Sequence, residues 1–393
     1  MTTPSRGSGP NWPLLALAVG AFGIGTTEFS PMGLLPVIAE GVDVSIPKAG
    51  LLVSAYAAGV MAGAPFMTLI FARFGRRAAL MSLMAIFTLG NVMAALAPSY
   101  GTLLAARIVT SLNHGAFFGL GAVVAANLVA PEKRASAVAT MFMGLTIANI
   151  GGVPLATWVG QAIGWRMSFA GTAVLGLLTI AALRLALPAG GGGQSVDVRR
   201  ELSVIVRPEV LNALFTTVLG AGAMFTLYTY VAPFLAEMNG APGSFVTLSL
   251  VLIGAGFTLG NWAGGRLADW SLDGAAVIFL AALAAMMALM PLLGTARITA
   301  AAGLFLWGAA AFAIVPPVQM RVMQVAAEAP ALASSVNIGA FNLGNALGAA
   351  LGGAVISAGL GYAAVPVAGG LLAAGGLGLV WLGRRRAARI AAA

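Results

Sequence analysis

Twelve apolar runs, at about 12–38, 48–72, 78–97, 102–129, 135–160, 167–187, 207–236, 245–268, 274–293, 299–320, 331–358 and 363–383, leave this chain few ways to fold. Each is long enough to cross a bilayer as a helix, which takes about twenty residues at ~1.5 Å rise. Inside hydrocarbon an unpartnered N–H or C=O is costly, so such segments close their hydrogen bonds within the helix. The expected fold is an all-α membrane protein with twelve transmembrane helices. With 60% of its residues hydrophobic and 8% charged, the chain lies far outside soluble usage, where about a quarter are charged. The first run is too long for a signal peptide and lacks a small-residue cleavage site, so it is expected to be a retained span behind a polar tail, residues 1–11.

The net charge of +9 belongs to topology and not to nucleic acid, because the cations sit in short connectors. One side collects Arg73, Arg76, Arg77, Lys133, Arg134, Arg199, Arg200, Arg207, Arg266, Arg321 and the tail arginines Arg384, Arg385, Arg386 and Arg389. The other holds Lys48, Arg166 and Arg297 against Glu40, Asp43 and Glu237. The positive-inside rule then places both termini in the cytoplasm, in agreement with an even number of spans.

The long connector 188–206, with its glycine run and mixed charges, reads as a flexible linker between two six-helix halves, residues 1–187 and 207–393. The halves are related. A shift of 197 residues pairs Gly23 with Gly220, Gly25 with Gly222, Pro36 with Pro233, Glu40 with Glu237 and Gly59 with Gly256. A shift of one more pairs Ala135-Ser136-Ala137-Val138 with Ala333-Ser334-Ser335-Val336. Parallel six-helix repeats are the architecture of a rocking transporter with its solute at the interface between halves, near the bilayer midplane.

Of eleven acidic residues only Glu28 falls mid-span. A charge at the bilayer centre costs about 2.5–3.5 kcal/mol, so an acid kept there has a function by default. The sole histidine, His114, lies in the fourth span with Ser111 and Arg107 three and seven residues before it, on one helical face. Glu28, Arg107 and His114 are therefore the candidate proton-coupling group, His114 because its unperturbed pKa is near 6.5. The candidate substrate-binding residues are Tyr228 and Tyr230 on the seventh span, Trp307 on the tenth, and, on the eleventh, Asn342, a heptad beyond Ser335, and Asn345. Structural alternatives stand at each position. Glu28 can be an acid bonded within the bundle, His114 a donor to a carbonyl or to Asn149, and Arg107 a packing residue. The asparagines can glue helices, and the aromatics can sit in the interfacial belt.

Without cysteine there is no thiolate metal site or thiol nucleophile, and no metal or cofactor is expected. HExxH, GxSxG and nucleotide-binding loops are absent, which argues against an enzyme and against an ATP-driven pump.

The connector Ala72-Arg73-Phe74-Gly75-Arg76-Arg77 resembles the motif between the second and third helices of the major facilitator superfamily, and Gly265-Arg266-Leu267-Ala268-Asp269 resembles its echo. Arg107 in RIVTSLNHGAFFG resembles the proton-coupling arginine of that superfamily, and Gly151-Gly152-Val153-Pro154 the antiporter motif of its drug:proton antiporter group. Nearly all of 12–383 is similar to the arabinose-efflux-permease branch of that group. The resemblance implies a monomeric facilitator fold in the bacterial inner membrane and proton-coupled efflux of a small solute such as a sugar or drug. Uptake by symport or facilitated diffusion is the runner-up, and a non-transporting sensor the alternative of another class. It also marks Arg73, Gly75, Arg76, Arg77, Gly152, Pro154, Gly265 and Asp269 as gating residues. The pattern is departed from twice: in the connector Ala72 stands where relatives carry an acid and Thr68 replaces a glycine four residues earlier, and in the fifth span Pro154 follows Val153 and not a glycine, with Ala156 in place of a second glycine pair.

Overall fold

The computed structural model describes residues 11–44, 46–188 and 198–391, almost all helical. The twelve spans are α1 (Trp12–Gly41), α2 (Lys48–Phe71), α3 (Arg76–Ala95), α4 (Tyr100–Asn127), α5 (Pro131–Ala162), α6 (Trp165–Ala186), α7 (Pro208–Tyr228), α8 (Gly243–Trp270), α9 (Leu272–Leu293), α10 (Arg297–Val325), α11 (Pro330–Ser357) and α12 (Ala364–Arg385). Short connectors work because local chemistry ends each helix. Asn11 caps α1, Ser99 forms a reciprocal cap on α4, and Ser271 accepts from Gly274 N at 3.0 Å to start α9. Large apolar side chains such as Phe66, Leu155 and Ile298 point outward, which only a hydrocarbon surround makes favourable.

Three main helix pairings of the first half recur six helices later. α2 packs on α4 as α8 does on α10, α1 on α5 as α7 on α11, and α3 on α6 as α9 on α12. Small residues set the closest of these contacts. Gly256, Gly260 and Gly264 bring α8 onto the backbone of α10, where an added Cβ would strike Phe305 O, Ala309 O and Ala313 O.

The linker expected over 188–206 is described only in its second part. Its residues 189–197 lie outside the described residues, but Val198–Ile205 is a helix. It is held because Val204 buries against Val210, Leu214, Val322 and Leu332. Just beyond it, Arg207 donates two 2.9 Å hydrogen bonds to Glu328, and those bonds hold the Glu328 carboxyl below its ordinary pKa. Arg321, expected in a connector, instead belongs to α10. It is 8% exposed, with Nε 3.4 Å from Asp273 and Nη2 donating to Asn212 at 3.3 Å. The span runs a turn longer than hydropathy indicates because these partners offset the burial of its charge.

Candidate functional site

The site begins with a break in helical bonding. Pro31 has no N–H, so the carbonyl of Thr27, four residues earlier, loses its donor within α1. Arg107 replaces it from α4, with Nη1 donating to Thr27 O at 2.8 Å from a side chain only 1% exposed. The guanidinium also lies 4.2 Å from the ring centroid of Tyr56 on α2, whose hydroxyl is hydrogen-bonded to His114 Nδ1 at 3.1 Å. Behind these, Thr27 Oγ1 and Thr172 Oγ1 donate to Asn91 Oδ1 at 2.6 and 3.0 Å, tying α1, α3 and α6 together. Arg107 Nε and Nη2 have no hydrogen-bond partner among the described residues. Glu28 has neither a hydrogen bond nor an ion pair there. Next to it stands a buried guanidinium with only Nη1 hydrogen-bonded, to Thr27.

Glu28 instead lines a cavity of about 60 Å³ between the halves. His114 and Asn149 join it in the wall from the first half, and Tyr228, Gln319, Asn342 and Asn345 from the second. Asn345 Oδ1 is buried without a donor. Among the sequence candidates, Arg107 stands behind this wall. Trp307 is fully buried, stacked on Tyr228 at 6.4 Å between centroids. Tyr230 faces elsewhere, because it lies two residues past the end of α7, with its hydroxyl donating to Ala349 O at 2.9 Å and its ring against Gly352. Asn149 donates to Leu145 O at 3.0 Å, so the partner of His114 is Tyr56. Tyr56 and Gln319 escaped the sequence reading. Tyr56 had a signal, being the first half's one tyrosine well inside a span.

The halves meet hardest toward the end that carries the termini. Asp269, at the end of α8, accepts from Ala135 N at 2.8 Å, Ser136 N at 3.2 Å and Ser136 Oγ, capping α5 across the interface. Gly265 lets α8 approach Ala139, and Asn261 Nδ2 donates to Ala139 O at 2.6 Å. The symmetry-related contact is built differently. Ala72 and Thr68 occupy the positions of Asp269 and Gly265, and Thr68 Oγ1 donates to Ser335 Oγ of α11 at 2.6 Å. The threonine hydroxyl bridges the gap where the acid is missing.

The remaining motif residues frame this end. Gly75 precedes α3, Arg77 Nη1 donates to Leu187 O at 3.1 Å, Arg73 is exposed, and Arg76 lines a second cavity of about 520 Å³ beside Arg134 and Asp269. In α5, Ala148–Gly152 forms a π-helical turn just before Pro154. Proline cannot bond the carbonyl four residues back and its ring crowds that carbonyl, so the ladder slips. Gly152 abuts Thr26 and Phe22 of α1, whereas a Cβ on Gly151 would meet nothing.

Comparison with known proteins follows this architecture. The inner membrane transport protein YdhP of Escherichia coli (strain K12) is 64% identical over 376 residues, covering 96% of this chain and 97% of that protein. A chloramphenicol resistance protein of Streptomyces lividans is 31% identical, covering 86% and 87%. Among solved structures, the E. coli fucose:proton symporter FucP superposes with a TM-score of 0.76 over 95% of this chain and 99% of that one, at 14% identity, a likeness of fold. The profile of the Major Facilitator Superfamily matches residues 17–353, and the chain is a multi-pass membrane transporter of a small solute belonging to that superfamily.

Proposed function

We propose that the protein exports its solute in exchange for protons across the bacterial inner membrane, with both termini cytoplasmic and the halves 1–187 and 207–393 rocking about the central cavity. The observation that carries this reading is Glu28: a mid-span acid in the wall between the halves, without a hydrogen bond, beside a buried Arg107 that has Nη1 on Thr27 O, its guanidinium over the Tyr56 ring and two nitrogens unpaired. Such a carboxylate takes up a proton when its surroundings are dry and releases it when the path to water opens. His114, coupled to Arg107 through Tyr56, transmits that change to α4 and α2. Residues in the wall, Tyr228, Asn342 and Asn345, contact solute, and Trp307 backs Tyr228. Export accords with drug resistance, for which the chloramphenicol resistance protein of Streptomyces lividans is named.

The cavity of about 60 Å³ is far below the ~300 Å³ at which solute pockets begin, so the halves part to load. Opening toward the terminus end breaks the bonds of Asp269 and Thr68. One proton moving through ~100 mV supplies about 2.3 kcal/mol toward that work.

The test is proton movement in liposomes holding the purified protein with a pH dye inside, challenged with sugars, nucleosides, amphenicols and organic cations. Solute-dependent flux in the wild type and none in Glu28→Gln is the expected result. Equal flux in both proteins would remove Glu28 from the coupling.

A further inference from the structure

Beside the Thr68–Ser335 contact, on the flank of the bundle, α2 and α11 leave a groove of about 250 Å³ whose remaining wall is α7. None of its lining residues is charged or carries an N–H or O–H in its side chain. Leu214, Val218 and Gly339 form a buried floor, and Met61, Leu211 and Phe215 stand exposed at the rim. The internal repeat gives the reason for the groove. A shift of 197 residues sets Trp262 of α8 at the place of Pro65, and a shift of 198 sets Met141 of α5 at the place of Gly339. Two large side chains thus occupy, where α5 meets α8, the positions that here hold a proline ring and a hydrogen.

The surroundings decide what fills it. Water finds no partner in an apolar groove, and a peptide laid against this flank would bring unpaired backbone groups into hydrocarbon. A methylene chain has no polar group to satisfy, and the rim residues belong to the apolar surface that the bundle turns to the bilayer. Depth points to one leaflet. α7 and α11 begin at Pro208 and Pro330 on the terminus side, so at ~1.5 Å per residue the lining from Leu211 to Leu343 lies about 5–20 Å below that end.

We propose that one acyl chain of a phospholipid in the leaflet on the terminus side seats in this groove and holds the halves closed at that end. The walls come from both halves, α2 from one and α7 with α11 from the other, and Thr68, three residues beyond Pro65, bonds Ser335 next to the lining Val336. Parting the halves there withdraws α2 and dissolves the groove. A chain that fits only the closed arrangement favours it by mass action. The proposal goes beyond the reading above and uses only its rocking motion; Glu28 and proton coupling play no part in it.

The test uses the full chain in nanodiscs of dioleoyl phosphatidylglycerol and phosphatidylethanolamine, with a trace of the same lipid carrying a diazirine in one chain. After irradiation, mass spectrometry should find residues 61–65 and 336–343 labelled several-fold above the exposed Leu177 of α6 and Leu371 of α12. Gly339→Met and Pro65→Trp, which put the other seam's residues into this one, should bring the labelling down to that level. Gly339→Ala is the control, since its methyl would meet only Met61 backbone atoms, at 3.7 Å, and leave the groove open. Size-exclusion profiles establish that each variant is folded. Spin labels at Glu132→Cys and Trp270→Cys then read the terminus end. Diphytanoyl lipids, whose methyl-branched chains are thicker, should raise the long-distance population several-fold in the otherwise unaltered chain and in Gly339→Ala, but not in Gly339→Met, whose side chain replaces the lipid chain. Even labelling over the apolar surface, a distance distribution indifferent to diphytanoyl lipid, or a response that Gly339→Met retains overturns the proposal. So does loss of the adducts on adding chloramphenicol at constant lipid, which would give the groove to a solute. Absence of proton flux in liposomes would refute the coupling read from Glu28 and leave this proposal standing.

Discussion

Pro31 and Arg107 belong to one structural device, and a double-mutant cycle reads their coupling. Arg107→Ala takes from Thr27 O its donor at 2.8 Å, and a buried acceptor left unpaired costs about 1–3 kcal/mol. It also removes a buried charge, which is favourable, so the single-variant value mixes two effects of opposite sign. Pro31→Ala restores an N–H at residue 31 that bonds Thr27 O along the helix. In the double variant the carbonyl is satisfied again, so the pair should be more stable than the sum of the singles by about 1–2 kcal/mol. Pro36→Ala is the control: it is also inside α1, but the carbonyl it frees belongs to Met32, which Arg107 does not touch. That second cycle should be additive within ~0.5 kcal/mol. The measurement is reversible unfolding in mixed micelles, the six proteins in parallel. If the Pro31–Arg107 cycle is as additive as the control, Arg107 is not held in place by the proline-freed carbonyl.

Asp269→Ala removes a cross-half helix cap, worth about 0.5–2 kcal/mol, present only while the terminus end is closed. Because the chain has no cysteine, spin labels at Glu132→Cys and Trp270→Cys report that end cleanly; the long-distance population should grow several-fold, and an unchanged distribution would show that the cap does not latch the halves. Tyr56→Phe keeps the ring over Arg107 and loses the bond to His114, so coupled flux should fall less than in Tyr56→Ala; equal losses would make the hydroxyl the essential part. Gly260→Ala drives a methyl into Ala309 O and should cost about 1–3 kcal/mol of stability by thermal unfolding, whereas Gly151→Ala should be neutral. Since Arg207 lowers the pKa of Glu328, their bond contributes above the ordinary carboxylate range and is lost as pH falls through the lowered value; Glu328→Gln should flatten that acid limb of a stability–pH curve, and an unaltered limb would assign it elsewhere.

How much was legible beforehand follows from range of interaction. Hydropathy reports the free energy of each segment in lipid, which is local, so twelve spans, their approximate limits and the six-helix repeat could be read from the residues alone. So could Glu28, because an acid in hydrocarbon is anomalous whatever surrounds it. Partners are another matter. Sequence spacing put Arg107 and His114 on one face of α4, but only tertiary packing supplies Tyr56 from α2 to join them and Thr27 O from α1 to anchor the arginine. Tyr228 and Tyr230 are two residues apart, yet one enters the cavity and the other turns to Ala349, since α7 ends between them and their directions depart. Arg321 reads as a connector cation until Asp273 and Asn212 are seen beside it. The Glu28 position falls, in the second repeat, on Phe225, and both side chains line one cavity. The sequence by itself determined a helical membrane transporter with one misplaced acid; only the folded bundle decided that the acid would stand unbonded among aromatic rings, because what a buried group faces is set by neighbours hundreds of residues away.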